Sequence, residues 1–369
     1  MHVLLVAREF PPDVVGGVAY HAYNLARALI ETGHRVTVLS STAGDYADET
    51  HATLPEVDVV RLDCRKHVSP RAWFDRAVRS ALAAKPPWLD DIDVVHSHEY
   101  IQFGRLSLVQ PVVQKIHFNL GRKFDFFPFR RYPAPVRPFV RAGLSHGVRP
   151  LERRVERNAL ASADGLVFVS DLTKRIQEQD TGFSGPTTVV HNGVDTEQFS
   201  PGPESYGSYF LFVGGDQARK GYETVVDAFA ATERPLRIAG TTRPAGDKTP
   251  SNVEFLGYVE QSRLPELYRG ARALVHPAQY EPFGNIVLES LACATPVVVT
   301  GPDHCGSAEV LTDEVARIVP PGDPVVLGDA IESFDASAYS PRACRQLAEQ
   351  YTWESVADQT LQFARSLIE

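Results

Sequence analysis

The first forty residues switch from one spacing of apolar residues to another and back, and this constrains the fold more than any other feature. His2–Arg8 is a short apolar strand, Pro11, Pro12, Gly16 and Gly17 form a turn, and Ala22, Leu25, Ala26, Leu29 and Ile30 then recur at helical spacing. Gly33 stands where a helix end needs a residue that accepts positive φ, and Arg35–Ser40 (RVTVLS) follows as a second strand. Strand, helix and strand with short connections imply parallel strands with helices on the faces of the sheet. Further strands are expected at Val57–Leu62, Val94–His96, Val112–His117, Leu166–Val169 and Thr188–Val190. A second series starts with strand Tyr209–Val213 and helix Tyr222–Ala231, then strands Leu236–Ala239, Val253–Leu256, Ala273–His276 and Pro296–Thr300. The Pro-, Gly- and Ser-rich stretch Phe199–Ser208 is the best linker between them. The chain is thus expected to hold two doubly wound α/β domains, 1–202 and 203–345, with a terminal helix in 346–369.

Composition narrows the function classes. With 369 residues, 43% apolar and 22% charged, the chain suits two soluble domains, and a net charge of −9 argues against a nucleic-acid binder. The average hides an exception: Lys115–Arg157 carries eleven Lys/Arg against Asp125, Glu152 and Glu156, a net +8 that leaves −17 for the rest. No apolar run approaches the ~18–20 residues of a membrane span, and the start lacks the basic region of a signal peptide. The widely spaced Cys64, Cys293, Cys305 and Cys344 suit free thiols in a reducing, cytoplasmic setting.

The most informative segment is EPFGNIVLESLACATP, Glu281–Pro296. A Pro-Phe-Gly turn would launch a helix near Asn285, leaving Glu281 in the preceding loop and Glu289 about one turn inside, ~6 Å along the axis. The free N–H groups of Gly284, Asn285 and Ile286 would suit a phosphate, and the two carboxylates would suit hydroxyl donors. Phosphate and polyol together describe a nucleotide sugar. A solvated loop acid and an acid favoured by the helix dipole would give the same spacing.

Glu281 and Glu289 reproduce the E-x7-E element of retaining glycosyltransferases of family four, and the resemblance extends along the chain. Gly16-Gly17 and Gly33-His34 resemble that family's amino-terminal pattern, and Asn192-Gly-Val-Asp195 with Phe199 and Pro201 its N-G-V-D-x3-F-x-P. Lys220-Gly221, Gly257-Tyr258-Val259 and Tyr351-Thr-Trp353 match later marks in order.

The resemblance implies the GT-B fold, two Rossmann-like domains facing across a cleft, with the terminal helix crossing back to the first. It implies that Glu289 holds the donor ribose and Glu281 supports the transferred sugar. Lys220 would pair with the diphosphate, and Tyr258 and the amides of Gly284, Asn285 and Ile286 would join the donor site. Gly16 and Gly17 would let backbone approach the diphosphate, and His117 would lie near the donor sugar. The family arginine is absent at Gly215, leaving Arg219 as its candidate substitute, and Ala294 stands where a glycine is usual.

The implied reaction is transfer of a hexosyl unit from a nucleotide sugar, a UDP-sugar being the family's commonest donor, to an acceptor hydroxyl, with retention and no cofactor or metal. An epimerase, a sugar phosphorylase or synthase, or a non-catalytic nucleotide-sugar binder stays open on the residues alone. Asp91-Ile-Asp93 has the form of a D-x-D metal motif, but Asp93 opens a strand in the style D-V-V-H-x-H. His96 and His98 are expected on opposite sides of that strand, which argues against a shared metal.

The basic window interleaves arginines with Phe124, Phe126, Phe127, Phe129, Tyr132 and Phe139. It lies on the half where the family places its acceptor, whether small molecule, glycan or lipid-linked. Peripheral contact with the inner membrane face, a pocket for an anionic acceptor, and an arginine-rich surface covering apolar neighbours are all compatible with it.

Overall fold

A computed structural model describes residues 1–12, 16–41, 54–64, 70–106, 108–127, 133–202, 207–242 and 250–368. Phe129 and Tyr132 of the aromatic series, and positions 203–206 of the linker, lie outside these. The chain divides into two units: 1–169 with 173–191 and 353–369, and 170–172 with 192–352.

The first unit opens with β1 (His2–Val6), α1 (Gly17–Glu31), β2 (Arg35–Ser41) and β3 (Asp58–Leu62). It continues through α2 (Pro70–Ala83), β4 (Val94–Ser97), β5 (Val112–Ile116), α3 (Arg137–Gly143), α4 (Arg149–Leu160), β6 (Gly165–Phe168), α5 (Asp171–Thr181) and β7 (Thr187–Val189). The seven strands are parallel in the order β3-β2-β1-β4-β5-β6-β7. Alternation explains why β1 is apolar from Val3 to Val6: Val3 and Leu5 pack in the α1 core, Leu4 and Val6 in the core with Phe74 and Val78 of α2. Gly33 ends α1 at φ +84°.

The second unit holds β8 (Tyr209–Val213), α6 (Tyr222–Ala230), β9 (Leu236–Ala239), β10 (Val253–Gly257), α7 (Leu264–Arg269) and β11 (Ala271–His276). Then come α8 (Asn285–Ala292), β12 (Val297–Thr300), β13 (Ala316–Val319), α9 (Pro324–Glu332) and α10 (Pro341–Ala348). Its six parallel strands run β10-β9-β8-β11-β12-β13. Phe210 and Phe212 point alternately with Leu211 and meet Val225 and Phe229 of α6 and Leu327 and Ile331 of α9. The last helix, α11 (Trp353–Arg365), belongs to the first unit, where Trp353, Val356 and Leu361 share the α1 core.

Strand order reverses between β1 and β4 in one sheet and between β8 and β11 in the other. Ligands of open parallel sheets bind beyond the carboxyl ends of strands at such points. Gly16 and His98 follow β1 and β4; Gly214 and His276 stand at the ends of β8 and β11.

Candidate active site

In the second unit, the turn Ala218–Lys220 precedes α6, and Gly221 joins them at φ +76°. A Cβ on Gly221 would stand 2.1 Å from the Pro277 carbonyl oxygen, so only glycine lets this turn lie against the end of β11. A Cβ on Gly214 would stand 3.0 Å from Cδ of Lys220, which places the lysine stem over the backbone after β8.

The loop after β11 carries Glu281, whose backbone is fixed on both sides. Its N–H donates to the His304 carbonyl at 2.7 Å, and its carbonyl accepts from Gly306 at 2.9 Å. Arg219 donates from its guanidinium to Glu281 Oε2 at 3.0 Å, while its own carbonyl accepts from Gln279 and Tyr280. His276 Nε2 lies 3.6 Å from the same carboxylate oxygen. Burial alone would raise the Glu281 pKa, but Lys220, His276 and Arg219 together hold it well below the usual carboxylate range. Burial holds His276 below its ordinary value, against the pull of the Glu281 carboxylate.

Glu289 sits on α8, and Tyr268 donates its hydroxyl to Glu289 Oε2 at 2.8 Å. Burial pushes this carboxyl up to about 7, against the pull of Tyr268 and Lys220. The two glutamates therefore differ: one is held ionised, the other titrates near neutrality. The start of α8 has no side-chain cap, and its N-cap Gly284 has φ +93°. Asn285 instead accepts from Asn192 Nδ2 at 2.8 Å, linking the N-G-V-D segment to the helix start. First-turn N–H groups of a helix lack intrahelical acceptors, so this end is suited to an anion. Ala294, just beyond α8, adopts φ +63° although it is not glycine. Tyr258 follows β10 and is 79% exposed, at the edge of a 610 Å³ concavity lined also by Arg237, Glu254 and Arg263.

In the first unit, Gly16 is the N-cap of α1 without a side-chain cap, and a Cβ on Gly16 or Gly17 would meet no atom within 4 Å. His117 follows β5, is half-buried and lies among three buried histidines, His21, His96 and His98. His98 Nδ1 is 3.0 Å from His117 Nε2, and the His21 ring lies 4.7 Å from His117 and 5.2 Å from His98. Trp353 of α11 packs edge-on at 4.9 Å from His21.

The expectation that His96 and His98 face opposite sides is corrected. Their rings are 4.8 Å apart, because residues two apart on a strand share a face. The nitrogens of His21, His98 and His117 lie within 4.8 Å of one another. Ligand nitrogens on a tetrahedral zinc at 2.0–2.1 Å stand about 3.3 Å apart, so this set would have to contract to hold one. Burial above all keeps these three imidazoles well below their ordinary pKa, and His96 falls to about 3. Lys115 is buried among them, donates to the Val190 carbonyl at 3.0 Å and is lowered by burial to about 7. Asp93 accepts from the His2 N–H at 2.7 Å, so this acid of the D-x-D fixes the start of β1.

Sequence reasoning missed Tyr268, His276, His21 and Lys115. The first two have no local motif, and Lys115 entered the charge count as a surface base.

Two family models cover almost the whole chain: Glycosyltransferase Family 4 over residues 15–198 and Glycosyl transferases group 1 over 194–351. The chain belongs to glycosyltransferase family four. As a family member it is a hexosyltransferase. It is 28% identical to glycogen synthase of Mycobacterium tuberculosis, over 98% of this chain and 94% of that protein. Sucrose-phosphate synthase from Thermosynechococcus elongatus has the same GT-B fold, with a TM-score of 0.78 at 20% identity, covering 100% of this chain and 99% of the other. Anabaena HepE in complex with UDP-glucose is similar at a TM-score of 0.73 and 16% identity, covering 99% of this glycosyltransferase and 100% of HepE. No helix among the described residues is long and apolar enough to cross a membrane.

Proposed function

We propose that this glycosyltransferase takes a hexosyl unit from a UDP-sugar and transfers it to an acceptor hydroxyl with retention of configuration and without a metal. The observation that carries this reading is the contrast between the two glutamates of the second unit. Glu281 is held ionised by Lys220, His276 and Arg219, and the half-buried Glu289 accepts from Tyr268. An ionised Glu281 stabilises positive charge developing at the anomeric carbon. Lys220 stabilises the diphosphate as the anomeric carbon–oxygen bond breaks and the electron pair leaves with phosphate. The acceptor oxygen bonds on the face the diphosphate leaves, and its proton passes to a phosphate oxygen of the departing group. Glu289 takes the ribose hydroxyls, and the amides of Gly284, Asn285 and Ile286 serve the diphosphate or sugar. The likeness to a protein bound to UDP-glucose supports uridine as the base.

A thermal-shift panel of UDP, GDP, ADP and TDP, each with its sugars, tests the donor before any acceptor is known. The UDP series should raise the melting temperature most, with EDTA present. A larger shift from another nucleotide would replace the donor; donor hydrolysis that EDTA abolishes would end the metal-free mechanism.

A further inference from the structure

We infer that Glu99, with Arg8 and Arg71 beside its two oxygens, binds the hydroxyl groups of a neutral sugar acceptor. The three residues lie wholly within the first unit, where its strand order reverses between β1 and β4. Ligands of open parallel sheets bind beyond such a point. Successive residues alternate across a strand end. His98 therefore joins the imidazoles packed beside α1, whereas Glu99 turns to the other side, towards Arg8 after β1 and Arg71 of α2.

The backbone under this cluster is fixed from three directions. The Glu99 carbonyl accepts from Ser97 Oγ at 2.8 Å and from the buried Gln114 at 2.9 Å. The Arg8 carbonyl accepts from the Ser41 N–H at 3.1 Å and from the Ser40 and Ser41 hydroxyls at 3.2 and 2.7 Å, which ties the end of β1 to β2. On α2, Asp75 stands one turn after Arg71 and accepts from the Gln102 N–H at 2.8 Å, holding the helix to the segment after β4. The side chains, by contrast, are not closed on one another. Glu99 Oε1 is 3.6 Å from Arg8 Nε and Oε2 is 3.9 Å from Arg71 Nε, and among the described residues neither oxygen accepts a hydrogen bond. Arg79 and Asp75 of the same helix close to 2.9 Å, the ordinary length of a structural pair. The Glu99 side chain is only 13% exposed, and burial raises its pKa against the pull of both arginines. A carboxylate withdrawn from water with its acceptor sites unfilled favours a ligand that brings hydroxyl donors.

Charge selects the class of sugar. Arg8 also pairs with Glu9, so two arginines stand with two carboxylates and the cluster has no cation to spare. A phosphorylated or carboxylated acceptor would meet two like charges here. A neutral polyol meets none, because each hydroxyl can donate to the carboxylate and accept from a guanidinium. The basic window contributes nothing, since Arg8, Arg71 and Glu99 all precede Lys115. Naming this sugar the acceptor rests on the transfer reaction proposed above; its binding at Glu99 does not.

Saturation-transfer NMR on the full chain with UDP present tests it. The probes are the methyl glycosides of glucose, mannose and galactose, set against the 6-phosphates of the same three sugars. The wild type should saturate at least one methyl glycoside and no phosphate, and that glycoside should raise UDP release from a UDP-sugar above hydrolysis. Glu99→Gln keeps the shape but removes the charge, and should weaken glycoside binding about tenfold or more. Arg71→Gln, where the side chain is 42% exposed, should weaken it as well, and decides the matter if Glu99→Gln lowers the melting temperature. The shift given by the UDP-sugar should stay unchanged in both variants. Absence of that shift in the wild type would strike the donor reading while glycoside binding stands. No glycoside saturated by the wild type, stronger saturation of the phosphates, or equal glycoside binding by the folded variants would overturn the inference. Glycoside binding that leaves UDP release at the hydrolysis rate would overturn the acceptor role.

Discussion

The two units bury polar groups at the same place in the same kind of sheet, yet in opposite electrostatic styles. Beyond β8 and β11, carboxylates meet cations: Glu281 with Arg219, and Lys220 acting on both glutamates. At the ends of β4 and β5, four imidazoles and one amine are packed together, and desolvation pushes each of them towards its neutral form. The second unit's arrangement holds fixed charge ready for a charged ligand; the first unit's offers shape and hydrogen-bonding groups pushed towards their neutral forms. The same topology thus supplies a charged grip in one unit and a buried imidazole cluster in the other.

The comparison breaks most readily at Lys220. Lys220→Ala should lower kcat/KM for the donor by about 10²–10³-fold, the scale of losing one electrostatic stabiliser of the transition state; wild-type kinetics would remove the charged grip from the account. The desolvated Lys115 of the first unit gives the next effect, on stability. Lys115 has a folded pKa of about 7 against 10.5 when exposed, so between those values the unfolded chain binds a proton that the folded chain refuses. Stability should rise with pH from 7 towards 10, and Lys115→Met should flatten the curve as followed by urea unfolding. Tyr268→Phe should weaken donor binding about tenfold by titration calorimetry, because Glu289 loses its buried hydroxyl partner. In the wild type, donor affinity should rise as pH passes through about 7 and Glu289 ionises, and Glu289→Gln should remove that dependence. The smallest effect is at Ala294, whose positive φ strains a residue with a Cβ. Ala294→Gly should stabilise the chain by about 0.5–1 kcal/mol in thermal unfolding.

Much of the fold was legible because it rests on local spacing. The apolar run of β1, the helical spacing of α1 and the turn at Gly33 each announce themselves within a few residues. So does the start of α8, where Pro-Phe-Gly precedes an amphipathic run. The sequence spacing of Glu281 and Glu289 carried the candidate donor site, but not their different environments. Those depend on Tyr268 and His276, which come from α7 and β11 and have no motif connecting them to the glutamates. The error over His96 and His98 was one of strand period. Lys115 misled the charge arithmetic for another reason: it is 2% exposed, so it adds nothing to the basic surface. The exposed basic side chains are instead Arg137 and Arg141 of α3 and Arg154 and Arg157 of α4.

The central claim is that the second unit grips a UDP-sugar through Lys220 and the two glutamates. Titration calorimetry of a UDP-sugar into wild type, Lys220→Ala and Glu289→Ala, with EDTA in every cell, tests it directly. The account predicts saturable binding by the wild type and at least about a tenfold loss in each variant, equivalent to one lost charge-assisted contact of about 1.5–3 kcal/mol. Equal affinity in all three proteins would contradict it.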